Sequence, residues 1–156
     1  LLEGLPISVF DTVFKSIHLS KNAQEFISIL QKKGILVGLV SGGFTPIVER
    51  LAESLGISYF SANQLEVKDG FLTGKLVGEI VTGQVKQATL EKWRKELGLS
   101  KERTIAIGDG ANDLLMLKSA GHGIAFCAKE VVKAEIACHV DTRDLLEVLP
   151  LIDFLE

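Results

Sequence analysis

The apolar residues of the chain keep two rhythms. From Pro6 to His18 they fall at Ile7, Phe10, Val13, Phe14 and Ile17, spacings of three and four that predict a surface helix with one buried stripe. Behind it, Asn22 and Glu25 stand at capping-box separation, and Phe26, Ile27 and Leu30 carry a second helix to Gly34. The rhythm then changes. Ile35-Leu36-Val37-Gly38-Leu39-Val40 has the near-continuous apolar character of a strand covered on both faces. It runs into Ser41-Gly42-Gly43, which reads as a turn, with Thr45 as cap and Pro46 in the first turn of a helix that Gly56 stops.

Residues 57–60 read as a short strand of their own, and residues 64–68 and 71–77 as a hairpin. Asp69-Gly70 between them supplies the positive-φ pair of a two-residue turn. Residues 84–97 are helical up to Gly98, and residues 104–108 form a strand that gives way to the helical Leu114-Leu115-Met116-Leu117. Gly121-His122-Gly123 leads to a strand at 124–127, followed by a helix near 130–135, a strand at 136–140 and a last helix over 145–155. Strands alternating with helices predict an α/β fold, a doubly wound parallel sheet with helices on both faces.

Composition narrows the class. A single domain of 156 residues buries about 68–70% of its unfolded surface, and 47% hydrophobic content suits such a core. The formal charge of −3, with both signs interspersed, offers no basic patch for nucleic acid. No apolar run is long enough to span a membrane, and no secretory signal opens the chain. Cys127 and Cys138 lie in apolar runs and read as small core residues, which makes a reducing cytoplasm the simplest compartment. The opening Leu1-Leu2-Glu3-Gly4-Leu5-Pro6, without methionine, is expected of a piece of a longer protein.

Candidate chemistry gathers at strand ends. Gly108-Asp109-Gly110-Ala111-Asn112-Asp113 puts two carboxylates and an amide beside the exposed N–H groups of a helix start, a set suited to a divalent cation holding a phosphate. The plainer alternative is a glycine-rich turn with Asn112 as cap. Ser41, Gly42 and Gly43 could bring a hydroxyl and close backbone to an anion, or simply form a loop. Lys86 falls in a first helical turn, where a cation opposes the helix dipole, and it is either a solvated lysine or one facing an anion. His18, His122 and His139 have no metal-ligand spacing, and Trp93 and Phe126 read as packing residues.

Together, Ser41-Gly42-Gly43-Phe44, Lys86 and Gly108-Asp109-Gly110-Ala111-Asn112-Asp113 resemble the second, third and fourth motifs of the haloacid dehalogenase superfamily. Ala62-Asn63, Val67-Lys68-Asp69-Gly70, Leu72-Thr73-Gly74 and Ile124-Ala125-Phe126-Cys127-Ala128-Lys129 narrow the resemblance to its phosphoserine phosphatases. The resemblance implies a Rossmann-like core over residues 21–156, a remnant of a helical cap over residues 1–20, and a hairpin insertion. It implies hydrolysis of a small phosphomonoester, L-phosphoserine, through an aspartyl-phosphate with Mg²⁺, in serine biosynthesis. By position, Ser41, Gly42 and Gly43 hold phosphoryl oxygens, Lys86 neutralises them, Asn112 touches substrate, Asp109 ligates Mg²⁺, and Asp113 steadies the metal shell or Lys86.

One departure is severe: the superfamily's first motif, an Asp-x-Asp bearing the nucleophile, occurs nowhere in this chain. Val9-Phe10-Asp11-Thr12-Val13 imitates it without the second aspartate and with helical spacing. The chain alone is therefore expected to be inactive. The sheet is expected to lack its central strand, so that strands 35–40 and 104–108 are not direct neighbours and an upstream segment or a swapped strand completes them. A phosphatase for another small phosphomonoester, and a non-catalytic fragment binding phosphate or Mg²⁺, remain the alternatives. Lys86→Ala is expected to lower activity greatly and stability little.

Overall fold

Asp69 and Gly70 take φ angles of 52° and 83°, the left-handed pair that folds one strand tightly back on the next. In the computed structural model, which describes residues 1–153, this turn joins β2 (Tyr59–Lys68) to β3 (Phe71–Val77) in antiparallel register, Lys68 opposite Phe71. The chain divides into two compact units, Leu1–Leu19 with Leu30–Val81, and Ser20–Ile29 with Thr82–Glu156.

The first unit contains α1 (Val9–Lys15), the end of α2 (Ala23–Lys32), β1 (Gly38–Phe44), α3 (Thr45–Ser54), β2 and β3. Its sheet has the order β1-β2-β3, with β1 parallel to β2. Phe10, Leu65 and Leu72 form one buried cluster in it, joined by the partly buried Leu2, Val9, Phe44 and Ile47. Phe10 and Phe44 meet as a tilted aromatic pair with centroids 6.3 Å apart. Ahead of α1, the Gly4 N–H donates to Leu72 O and the Leu72 N–H to Leu5 O, each at 2.8 Å, so the first residues lie along β3.

The second unit contains α4 (Gly83–Glu96), β4 (Ile105–Gly108), α5 (Leu114–Ser119), β5 (His122–Phe126), α6 (Glu130–Lys133) and β6 (His139–Val140). Its three strands are all parallel in the order β4-β5-β6. The α5 helix packs on α4, β4 and β5, and Leu117, Ile124, Val132 and Val148 are fully buried. Asn22, at φ 59°, donates its amide to both carboxylate oxygens of Asp144 at 2.9 and 3.0 Å, and Lys21 pairs with Asp144 at 3.1 Å.

The α/β class, the parallel pairings and the hairpin are those read from the sequence. Among the described residues no ladder joins β1 to β4; each is an edge strand of its own sheet. Several local expectations differ. Residues 41–43 are not a turn but the second half of β1, which bulges: Val40 pairs with Ser61 and Phe44 with Asn63, leaving Ser41, Gly42 and Gly43 opposite Ala62 alone. Residues 57–60 are not a separate strand either. Tyr59 begins β2, which pairs with β1 first and with β3 afterwards. Asn22 does not cap α2, because its side chain is committed to Asp144. Thr45 donates to Asn63 O at 3.1 Å rather than capping α3. Both cysteines are free and only half-buried. The last helix is a 3₁₀ segment over Leu145–Leu151 containing Pro150, which has no N–H to continue an α ladder; the expected continuation to residue 155 lies outside the described residues.

Candidate functional site

In the second unit, β4 ends at Gly108 and the chain turns through a 3₁₀ segment, Ala111–Asp113, into α5. The turn is closed by Asp113. Its Oδ2 accepts the N–H groups of Asp109 and Gly110, both at 3.1 Å, and the Asp113 N–H donates to Gly110 O at 2.9 Å. The side chain folds back so closely that a Cβ at Gly108 would lie 2.6 Å from Asp113 Cβ; only glycine fits there. Beside β4, the Lys129 N–H donates to Asp109 O at 3.1 Å and anchors the turn from the loop after β5.

The other oxygen of Asp113 meets Lys86. Thr82 caps α4 by accepting the Val85 N–H at 3.3 Å, and Lys86 follows in the first turn. Its Nζ donates to Asp113 Oδ1 at 2.6 Å, and both side chains are only 8% exposed. Burial raises the Asp113 carboxyl and is the largest single influence. The Lys86 hydrogen bond, the Gly110 N–H, the Lys86 charge and the Asp109 N–H together outweigh it and hold the group below its ordinary value. Asp113 is thus fully engaged as an ion, with one oxygen on Lys86 and the other on the turn. Asp109 and Asn112 are exposed, and no hydrogen bond or ion pair to the Asp109 carboxylate occurs among the described residues.

In the first unit, Ser41 Oγ accepts the Gly43 N–H at 2.9 Å across the β1 bulge. That bond uses the oxygen and leaves the hydroxyl hydrogen directed elsewhere. Gly42 and Gly43 are exposed and Ser41 is half-buried. Behind them stands Asn63, 6% exposed, whose amide donates to Gly42 O at 2.9 Å and accepts the Val81 N–H at 2.7 Å. Sequence reasoning met Asn63 only within a family string; nothing local marks it, because both of its partners are distant in sequence.

Other candidates fall away. Asp11 lies in α1, exposed and paired with Arg50 at 2.6 Å, not at a strand end. His139 is 3.3 Å from Asp141 at an exposed position. No group of three His, Cys, Asp or Glu residues is placed to hold a metal among the described residues, and no described helix is long and apolar enough to cross a membrane.

Residues 1–118 match the haloacid dehalogenase-like hydrolase family. The chain belongs to the haloacid dehalogenase-like hydrolases. A phosphoserine phosphatase of Streptococcus thermophilus is 53% identical over 152 residues, 97% of this chain and 71% of that protein. One of Methanocaldococcus jannaschii is 44% identical over 149 residues, covering 96% of this chain and 71% of that protein. Among solved structures, a substrate-bound phosphoserine phosphatase complex superimposes with a TM-score of 0.91 at 44% identity, over 97% of this chain and 72% of that one. The family and fold that the motifs suggested are therefore those of the chain, and its class is that of the hydrolases.

Proposed function

We propose that this protein hydrolyses L-phosphoserine to serine and phosphate, with an aspartate outside the given sequence as nucleophile. The observation that carries the reading is the buried Lys86–Asp113 pair at the end of β4. A lysine in a first helical turn opposes the helix dipole, and its burial there is explained if it faces an anion. Asp113 holds that ammonium in place, and the ammonium neutralises phosphoryl oxygens whose charge shifts during transfer. The Ser41 hydroxyl and the Gly42 N–H donate to those oxygens, Gly43 lets the backbone approach, and Asn112 contacts the substrate. Phosphoserine as the substrate follows the relatives at 53% and 44% identity.

Mg²⁺ is the cation we assign, and it would supply positive charge on the phosphoryl group. The fit rests on Asp109, an exposed carboxylate at the strand end with no protein partner among the described residues, and hard oxygen is what Mg²⁺ takes. We assign Asp113 to Lys86 and the turn, which its two oxygens already hold, and so to steadying the metal shell rather than to direct ligation. The remaining oxygens would come from water, phosphate and the missing aspartate. We place the protein in the cytoplasm, a setting with which its two free cysteines accord.

The test is phosphate release from L-phosphoserine in Mg²⁺. Release is expected once a strand ending in Asp-x-Asp is joined ahead of residue 1, and it should stop on chelation with EDTA. The chain alone should release none. Preference for a different small phosphomonoester would move the reading to a related phosphatase. Saturable phosphate binding with no turnover in the extended protein would leave a non-catalytic binder.

A further inference from the structure

The β1 bulge interrupts the ladder to β2, since Ser41, Gly42 and Gly43 stand opposite one residue. A carbonyl left without its rung in a partly buried sheet must find another donor. Asn63 provides it. Its amide donates to Gly42 O at 2.9 Å, and its carbonyl accepts the Val81 N–H in a buried bond of 2.7 Å. One planar side chain therefore fixes the Gly42–Gly43 peptide against the Val81 peptide, which passes near enough that a Cβ at Gly42 would lie 3.9 Å from Val81 O. Glycines have the widest conformational freedom of any residue, and within the bulge the Gly43 N–H bond to Ser41 Oγ spans only two residues, so an outside restraint is needed to keep the bulge in one conformation.

We propose that Asn63 is a positioning residue: by holding Gly42 O it fixes the Gly42–Gly43 peptide, whose N–H is held from the other side by Ser41 Oγ, and so sets the conformation of residues 41–43 and their affinity for a phosphoryl group. This rests on the phosphate role given above to Ser41 and Gly42. The geometry asks for a donor on one end of the side chain and an acceptor on the other, at the length of asparagine. Aspartate keeps the acceptor and loses the donor; leucine keeps the shape and loses both.

The experiment titrates the ¹⁵N-labelled chain with inorganic phosphate and follows the Gly42 and Gly43 amide signals. In the unsubstituted chain both should shift saturably. In Asn63→Asp the midpoint should rise about tenfold near neutral pH, the value of one lost hydrogen bond to a positioned group, and should recover as acid restores a donor. In Asn63→Leu the rise should be as large and show no such recovery, which separates lost positioning from repulsion by an added charge. Unchanged midpoints in either variant, or a collapsed amide spectrum in Asn63→Asp at neutral pH, would overturn the inference. If the glycine signals of the unsubstituted chain ignore phosphate, the phosphate role of residues 41–43 fails and this inference fails with it.

Discussion

Lys86 was legible in the sequence as an anomaly, a cation at the wrong end of a helix, but its surroundings were not. The expectation that Lys86→Ala would leave stability nearly untouched assumed an exposed side chain; the Lys86 side chain is in fact 8% exposed and bonded to the equally buried side chain of Asp113. Removing one partner of a buried pair leaves the other uncompensated, at about 3–5 kcal/mol. Lys86→Met is therefore expected to lose about that much in urea denaturation, with part recovered when Asp113→Asn is added, since asparagine still accepts from the Asp109 and Gly110 N–H groups. Recovery of nothing would mean that the two residues act independently. The pH dependence follows from the same carboxylate. Its folded pKa lies below its unfolded value near 3.8, so its stabilisation is complete above that value and is lost as pH falls through the folded pKa. In acid titrations followed by circular dichroism, Asp113→Asn should flatten the fall of stability below about pH 4; an unchanged slope would place the acid sensitivity elsewhere, with Asp144, also lowered by its Asn22 bond, as the next candidate.

Elements were readable where the instruction was local. Asp69-Gly70 sets the pairing next to the turn, Lys68 with Phe71 and Val67 with Leu72, before the register shifts between Val67 and Leu65. Gly70→Ala should accordingly lower stability by about 1–2 kcal/mol, the penalty of a Cβ in the left-handed region, with a matching drop in thermal midpoint. A neutral result would show that the turn relaxes freely. Elements were misread where the deciding partner was remote. Ser41-Gly42-Gly43 has the composition of a loop, and it continues β1 because the side chain that takes the missing rung lies 21 residues away. The polar Ser61-Ala62-Asn63 looked like a break between two strands; it is the passage where β2 changes partner from β1 to β3.

At the scale of the molecule, the alternation of strands with helices made the parallel pairings legible, and the lack of a β1–β4 ladder among the described residues was expected from the resemblance to a family whose central strand bears Asp-x-Asp. Edge strands present unpaired backbone groups. In hydrogen exchange on the chain alone, β1 and β4 amides should therefore exchange faster than those of the central strands β2 and β5. Equal protection would mean that the edges are covered in solution, most simply by another copy.

The Asn22–Asp144 contact bears on how the protein is made. The partners stand 122 residues apart, so a ribosome adding about 5–20 residues each second delivers the second about 6–24 s after the first. Through that interval α2 has emerged without the residue that orders its entry, while the hairpin and its flanking strands have everything they need nearby. Nascent-chain stalling at successive lengths should therefore find the second unit protease-sensitive until residue 144 clears the exit tunnel.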